Sequence, residues 1–199
     1  MKDYIAVNRK NARKIIAKNN KDRFNRLKNN RYIPAINMFS EYVNKSVSIL
    51  DIGTREGYFL DVLKENGFEN IYAIDVSEEG IKQVKKRGYE AEVADAQCFN
   101  LNKKFELVIS MHSLEHCPEP DKVLDCIHEH LCDNGILYVE VPTQVKEPVP
   151  TPHAHFYCFV DLKEFLSFFD NTKWESLKTE YKERKKRKGV IKCIFKKRG

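Results

Sequence analysis

Asp51, Gly53, Gly57 and Asp75 have the residue types and spacing of a nucleotide cradle. The run Ile49-Leu50-Asp51-Ile52-Gly53-Thr54-Arg55-Glu56-Gly57-Tyr58-Phe59-Leu60 reads as a short apolar strand ending in an acid, a small-residue turn, and the start of an amphipathic helix. Glycine lets such a turn bend sharply and lets its backbone approach a ligand. The helix beyond it offers unpaired N–H groups to an anionic ligand end. Asp75 closes a second apolar run, Ile71-Tyr72-Ala73-Ile74. A carboxylate at the second strand tip, about 20 residues on, suits the paired hydroxyls of a ribose. The spacing excludes two other nucleotide motifs, since neither the dinucleotide G-x-G-x-x-G nor the phosphate loop G-x-x-x-x-G-K-[ST] is present.

The turn is similar to the D-x-G-x-G-x-G turn of the class I S-adenosylmethionine-dependent methyltransferases, with Arg55 at the middle glycine. Further blocks carry the same resemblance, to a methyltransferase domain of type 11/23. Leu107-Val108-Ile109-Ser110-Met111-His112-Ser113-Leu114-Glu115-His116-Cys117-Pro118 looks like that family's fourth strand and its Leu-Glu-His loop. Glu119 to Val141 looks like the next helix, Asn-Gly turn and fifth strand, ending Tyr138-Val139-Glu140-Val141-Pro142. The match covers residues 47–142 in order.

The resemblance implies an α/β, Rossmann-like, doubly wound sheet of seven strands in the order 3-2-1-4-5-7-6. It is mostly parallel, with the last strand antiparallel and N-terminal helices added. The implied cofactor is S-adenosylmethionine, leaving as S-adenosylhomocysteine. On this resemblance Asp51 organises the turn and the ligand's amino group, and Gly53 and Gly57 lie against its methionine and ribose portions. Asp75 binds the ribose hydroxyls and Val76 packs on the adenine. Asp95, with Ala94 and Ala96, meets the adenine edge, and Ser110 and Met111 line the sulfonium side. The two strand-tip acids also have a plainer reading as loop caps, as does Asp95.

Arg55 departs from the family pattern, and three accounts are open. Its guanidinium grips the methionine carboxylate or an acceptor phosphate as a bidentate partner; it faces solvent from a tolerant turn; or it marks a weakened cofactor site. Methyl transfer is an in-line displacement, so orientation supplies much of the rate. A base is needed only where the acceptor must lose a proton. His112, His116 and His155 are the candidate catalytic residues, with Glu115 and His153 beside them, because histidine titrates near neutral pH. Glu115 and His116 also have a structural reading, fixing the loop over the cofactor. The Phe156, Tyr157 and Phe159 cluster reads either as packing or as a stacking platform.

The elements that must position these residues alternate in type. Strands are expected at 47–50, 70–75, 90–94, 105–111 and 136–141, with helices at 57–66, 78–87 and 120–132. Such alternation signals a parallel sheet covered on both faces. Ser77 is placed to cap the second helix, and Asn134-Gly135 to end the 120–132 helix as Gly88 ends its own. Residues 142–160, with four prolines and His153 and His155, read as a lid or substrate loop. Helix 161–170, capped by Asp161, and two antiparallel strands at 174–181 and 190–196 complete the domain.

At 199 residues the chain reads as one methyltransferase domain, 46–199, behind a basic helical extension, 1–45, in which Pro34 signals a helix start. There is no apolar run of membrane-span length and no secretory leader pattern. The six cysteines show no C-x-x-C pairing, which argues against a zinc site or disulfide framework and for reduced thiols in the cytoplasm. The net charge of +6 hides an asymmetry: residues 1–45 and 182–199 each carry +9, and the body between them −12. One reading is solvated basic faces; the other is an anionic acceptor met by both ends. The hairpin Lys182 to Gly189 is expected on the cofactor's rim. A small-molecule or anionic acceptor is therefore expected, with nucleic acid as the partner that the segments 1–45 and 182–198 would serve. The Asn-Pro-Pro-aromatic motif of amino-directed DNA methyltransferases is missing, which favours the small molecule. A catalytically silent cofactor- or nucleic-acid-binding protein on the same fold is the remaining class.

Overall fold

Seven strands pair in the order β3-β2-β1-β4-β5-β7-β6, the order the resemblance implies. They are β1 (Ile49–Ile52), β2 (Ile71–Asp75), β3 (Glu90–Val93), β4 (Phe105–Met111), β5 (Leu131–Pro142), β6 (Trp174–Arg184) and β7 (Arg187–Lys197). The computed structural model describes residues 20–143, 157, 159, 161–184 and 187–199. The loop expected at 142–160, with His153, His155 and Phe156, and residues 3–19 of the basic extension therefore lie almost wholly outside the described residues.

The first five strands are parallel to one another. β7 runs antiparallel to both β5 and β6. β1 is buried along its whole length because a central strand in a doubly covered sheet meets helices on both faces. One face is packed by α2 (Ile33–Phe39), α3 (Tyr58–Glu65) and α4 (Glu78–Lys86), which bring Ile36, Phe39, Leu60, Leu63 and Val84 into one core. The other is packed by α5 (Pro120–His130) and α6 (Leu162–Ser167) through Val123, Ile127 and Phe165. Phe159 is fully buried in that second core, stacked edge-on to Phe165, with the half-buried Tyr157 against it. Of the aromatic cluster's two readings, packing is the one these residues take. No described helix is long and apolar enough to cross a membrane.

Several local expectations need correction. β1 runs to Ile52, so Asp51 lies inside the strand rather than at its tip. From Asn20 to Phe39 the basic extension is helical without a break. The helix α1 (Asn20–Leu27) passes through a π turn, Lys28–Tyr32, straight into α2. Ile33 N–H bonds to the Lys28 carbonyl there. Pro34 explains the widened turn: with no N–H and a ring that crowds the carbonyl four residues back, it bars a regular α turn at that point. The 120–132 helix ends at His130, and β5 starts at once, with Asn134 rather than Gly135 left-handed at φ 62°. Pairing jumps from Phe105↔Leu131 to Leu107↔Ile136, so residues 132–135 bulge out of the sheet. The caps behave as read. Ser77 Oγ accepts the Gly80 N–H at 3.1 Å, and Asp161 Oδ1 accepts the Glu164 N–H at 2.9 Å.

Candidate active site

The carboxyl ends of β1, β2 and β3 form one half of a rim. Gly53 takes φ 80° directly after β1, and its N–H bonds to the Ile74 carbonyl at 2.9 Å. A Cβ at Gly53 would lie 2.6 Å from Ser113 Cβ, so the turn fits under the β4 loop only with glycine. Arg55 is also left-handed, at φ 54°, so the middle position keeps its glycine-like backbone although it carries a long side chain. That side chain is exposed. The Arg55 N–H donates to Asp75 Oδ2 at 2.8 Å, while Asp75 Oδ1 accepts the Ser77 N–H at 2.8 Å. Asp75 thus ties the β1 turn to the start of α4. Burial raises its pKa and these two N–H donors oppose the rise. Each carboxylate oxygen keeps a further lone pair for a ligand.

Asp51 is 3% exposed, and burial followed by the charge of Asp75 pushes its carboxyl up to about 7. Gly57, at φ 79°, precedes α3, and Val76 sits half-buried just past the β2 tip. Beyond β3, Asp95 Oδ1 accepts the Gln97 N–H at 2.9 Å, whereas its buried Oδ2 has no partner among the described residues. Ala96 is buried beside it. Gln97 went unnoticed in the sequence, yet its side-chain oxygen accepts the Glu119 N–H at 2.9 Å and locks this corner to α5.

The ends of β4 and β5 form the other half. Ser110 is fully buried, its hydroxyl 2.9 Å from that of Ser113, and Met111 is half-buried at the strand's end. His112 follows in a left-handed conformation, φ 54°, held by its N–H on the Glu140 carbonyl at 2.8 Å. Its ring lies between two carboxylates, Nε2 2.8 Å from Glu140 Oε1 and Nδ1 3.4 Å from Glu115 Oε1. Burial disfavours the charged ring, but bonds to Glu115 and Glu140 outweigh it and raise the His112 pKa. The same pairing outweighs burial at both acids and lowers theirs. Pairing with both acids favours the charged ring, and in that form neither nitrogen has a lone pair to take a proton. His116 stands on the same short turn, 30% exposed and 4.0 Å from Glu115 Oε1.

Glu140 is the residue that sequence reasoning missed. Its Oε1 also lies 3.4 Å from Arg31 Nε in the π turn, and its Oε2 3.7 Å from Lys192 Nζ on β7. The Tyr138 hydroxyl donates to Oε2 at 2.8 Å. The only local signal was one acid inside the apolar run Ile136 to Val141, where a buried charge requires partners. Among the described residues no three His, Cys, Asp or Glu side chains form a metal-binding group.

The methyltransferase-domain family model matches residues 21–181. Among solved structures, the N-methyltransferase NodS from Bradyrhizobium japonicum WM9, in complex with S-adenosyl-l-homocysteine, is similar at TM-score 0.74 and 13% identity. That match covers 96% of this chain and 98% of NodS. The PH0226 protein from Pyrococcus horikoshii OT3 is similar at TM-score 0.68 and 16% identity, over 92% and 93%. The [4+2]-cyclase SpnF is similar at TM-score 0.68 and 16% identity, over 84% and 81%. No curated protein sequence matches the chain. At these identities the structural likeness establishes the fold.

Proposed function

Since this chain belongs to the class I S-adenosylmethionine-dependent methyltransferases, in the methyltransferase-domain family, we propose that it methylates a nitrogen or oxygen of a small-molecule acceptor in the cytoplasm. The observation that carries the acceptor assignment is the closed polar cluster at the ends of β4 and β5. Glu115 and Glu140 are 1% and 2% exposed there, under Arg31 of the N-terminal helix. A polar cluster this compact, with its acids buried, suits a small polar group better than a long polymer.

The residues of the β1–β3 half fit the cofactor. Asp95 Oδ2, a buried acceptor without a partner among the described residues, has the chemistry an exocyclic adenine amine requires. Asp75 is assigned to the ribose hydroxyls, Val76 to the adenine face, Ala96 to its edge, and Ser110 and Met111 to the sulfonium side. Asp51, Gly53 and Gly57 are assigned to the methionine and ribose portions. When bound, the sulfonium supplies an electrophilic methyl group. The chain's own part is to orient the acceptor in line and to exclude water. His112, held as an imidazolium by two acids, orients and charges the acceptor side. Where the acceptor must lose a proton, His116, or His155 from outside the described residues, takes it. The exposed Arg55 is assigned to solvent.

A second reading, RNA methylation, is favoured by one observation. β6 runs parallel to β5, and Lys182 pairs with Val190 as Pro142 does, so Lys182 lies level with the end of β5 at this rim. Transfer of a labelled methyl group to extracted metabolite, RNA and protein fractions tests both. Label in the metabolite fraction is the expected result. Label confined to RNA overturns the small-molecule assignment, and cofactor binding without transfer to any fraction marks a silent binding protein. The fold is compatible with each, as SpnF, a [4+2]-cyclase, illustrates.

A further inference from the structure

Glu140 gathers three cations from three separate elements onto one carboxylate. Arg31 Nε and His112 Nε2 lie 3.4 and 2.8 Å from its Oε1, and Lys192 Nζ lies 3.7 Å from its Oε2. Exposure sorts these groups by sign. Glu115 and Glu140 keep 1% and 2% of their side-chain surface, while Arg31, His112 and Lys192 keep 34%, 18% and 18%. The acids are inside and the cations form the outer layer. Three positive charges, with His112 protonated, outnumber the two carboxylates.

Donor capacity is left over. Arg31 uses Nε alone, so its two terminal nitrogens have no partner among the described residues. Lys192 Nζ is beyond hydrogen-bond range of Glu140, and none of its three donors is taken among them. Arg31 owes its place to the π turn ahead of Pro34, and such turns recur at functional sites. A planar guanidinium fork beside a mobile ammonium is the donor set that binds carboxylate and phosphate oxygens.

We propose that Arg31 and Lys192, keyed by the buried Glu140, form a subsite for an oxyanion carried by the methyl acceptor, a carboxylate or phosphate group on a small molecule. The site rests on the methyltransferase reading for its link to an acceptor. Glu140 is the positioning residue: it keeps the two cations together without reaching the ligand itself. His112 is bonded to the same carboxylate and reports on the site.

The test follows the His112 ring signals by NMR in histidine-labelled full-length protein, titrated with sodium phosphate and, separately, sodium acetate at constant ionic strength. Saturable shifts are expected, with affinity reduced about tenfold in Lys192→Met and in Arg31→Gln. Lys192→Arg should retain binding, and Lys82→Met, on the far helix α4, should match the wild type. Tighter saturation by one of the two salts identifies the oxyanion as phosphate or carboxylate. Linear shifts with both salts, or wild-type affinity in Lys192→Met and Arg31→Gln, overturn the subsite. So does saturation by an RNA oligonucleotide alone. Calorimetry with S-adenosylhomocysteine on the same samples separates the two readings. Cofactor uptake without anion saturation overturns the subsite and leaves the methyltransferase reading intact. Anion saturation without uptake supports the anion site and removes the methyltransferase reading.

Discussion

The two halves of the rim are held by different physics. At the ends of β1, β2 and β3, carboxylates accept backbone N–H groups, as Asp75 does from Arg55 and Ser77 and Asp95 from Gln97. At the ends of β4 and β5, side chains hold side chains, with His112, Tyr138, Arg31 and Lys192 all converging on Glu140. The first half depends on backbone shape and fails by steric change. The second depends on balanced buried charge and fails when one partner is removed, because the remaining charge is stranded.

The largest effect is therefore expected in the second half. Glu140→Ala strands His112 and the Tyr138 hydroxyl and should cost about 3–5 kcal/mol in denaturant unfolding. A loss under about 1 kcal/mol would place the cluster among exposed ion pairs and break the contrast. Next comes the titration of Asp51. Its folded pKa of about 7 stands above the ordinary 3.8, so the native state binds the extra proton between those values. Stability of the wild type should therefore fall as pH rises through that window, by on the order of 2–4 kcal/mol. Asp51→Asn should flatten the fall; equal pH slopes in the two proteins would refute the buried acid. His112, in the other half of the rim, acts in the same direction. Its raised folded pKa gives a contribution that is full below the ordinary histidine value and lost as pH rises through the folded value.

Smaller effects sharpen the steric side. Gly53→Ala sets a Cβ 2.6 Å from Ser113 Cβ at φ 80° and should cost about 2 kcal/mol by thermal melting. Arg55→Gly should change stability by under about 1 kcal/mol, because the left-handed backbone suits glycine and the lost side chain is exposed. It should also leave S-adenosylhomocysteine affinity within about threefold. A tenfold loss would show instead that the guanidinium grips the ligand.

The same division explains what could be read from the sequence. The β1–β3 half was legible because Gly53, Gly57, Asp51 and Asp75 encode it over a short stretch of chain. Strand order followed from the family blocks, and the caps Ser77 and Asp161 from local chemistry. The β4–β5 half was legible only in part. His112 stood out as a titratable side chain at a strand end, but its meaning lies in Glu140, 28 residues on, and in Arg31 and Lys192 at opposite ends of the chain. No periodicity links those positions, since only the folded sheet brings them together. The π turn was hidden for a related reason. Pro34 marked the start of α2, in whose first turn it stands, but not that the preceding helix would widen into a π turn and run into α2 without a break.

Calorimetric titration of the wild type and of Asp75→Ala with S-adenosylhomocysteine is the most direct test that the β1–β3 half holds the cofactor. Saturable binding at one site per chain is expected for the wild type, weakened at least about tenfold in Asp75→Ala with its cooperative melt retained. Absence of binding by the wild type, or equal affinity in the two proteins, would contradict it.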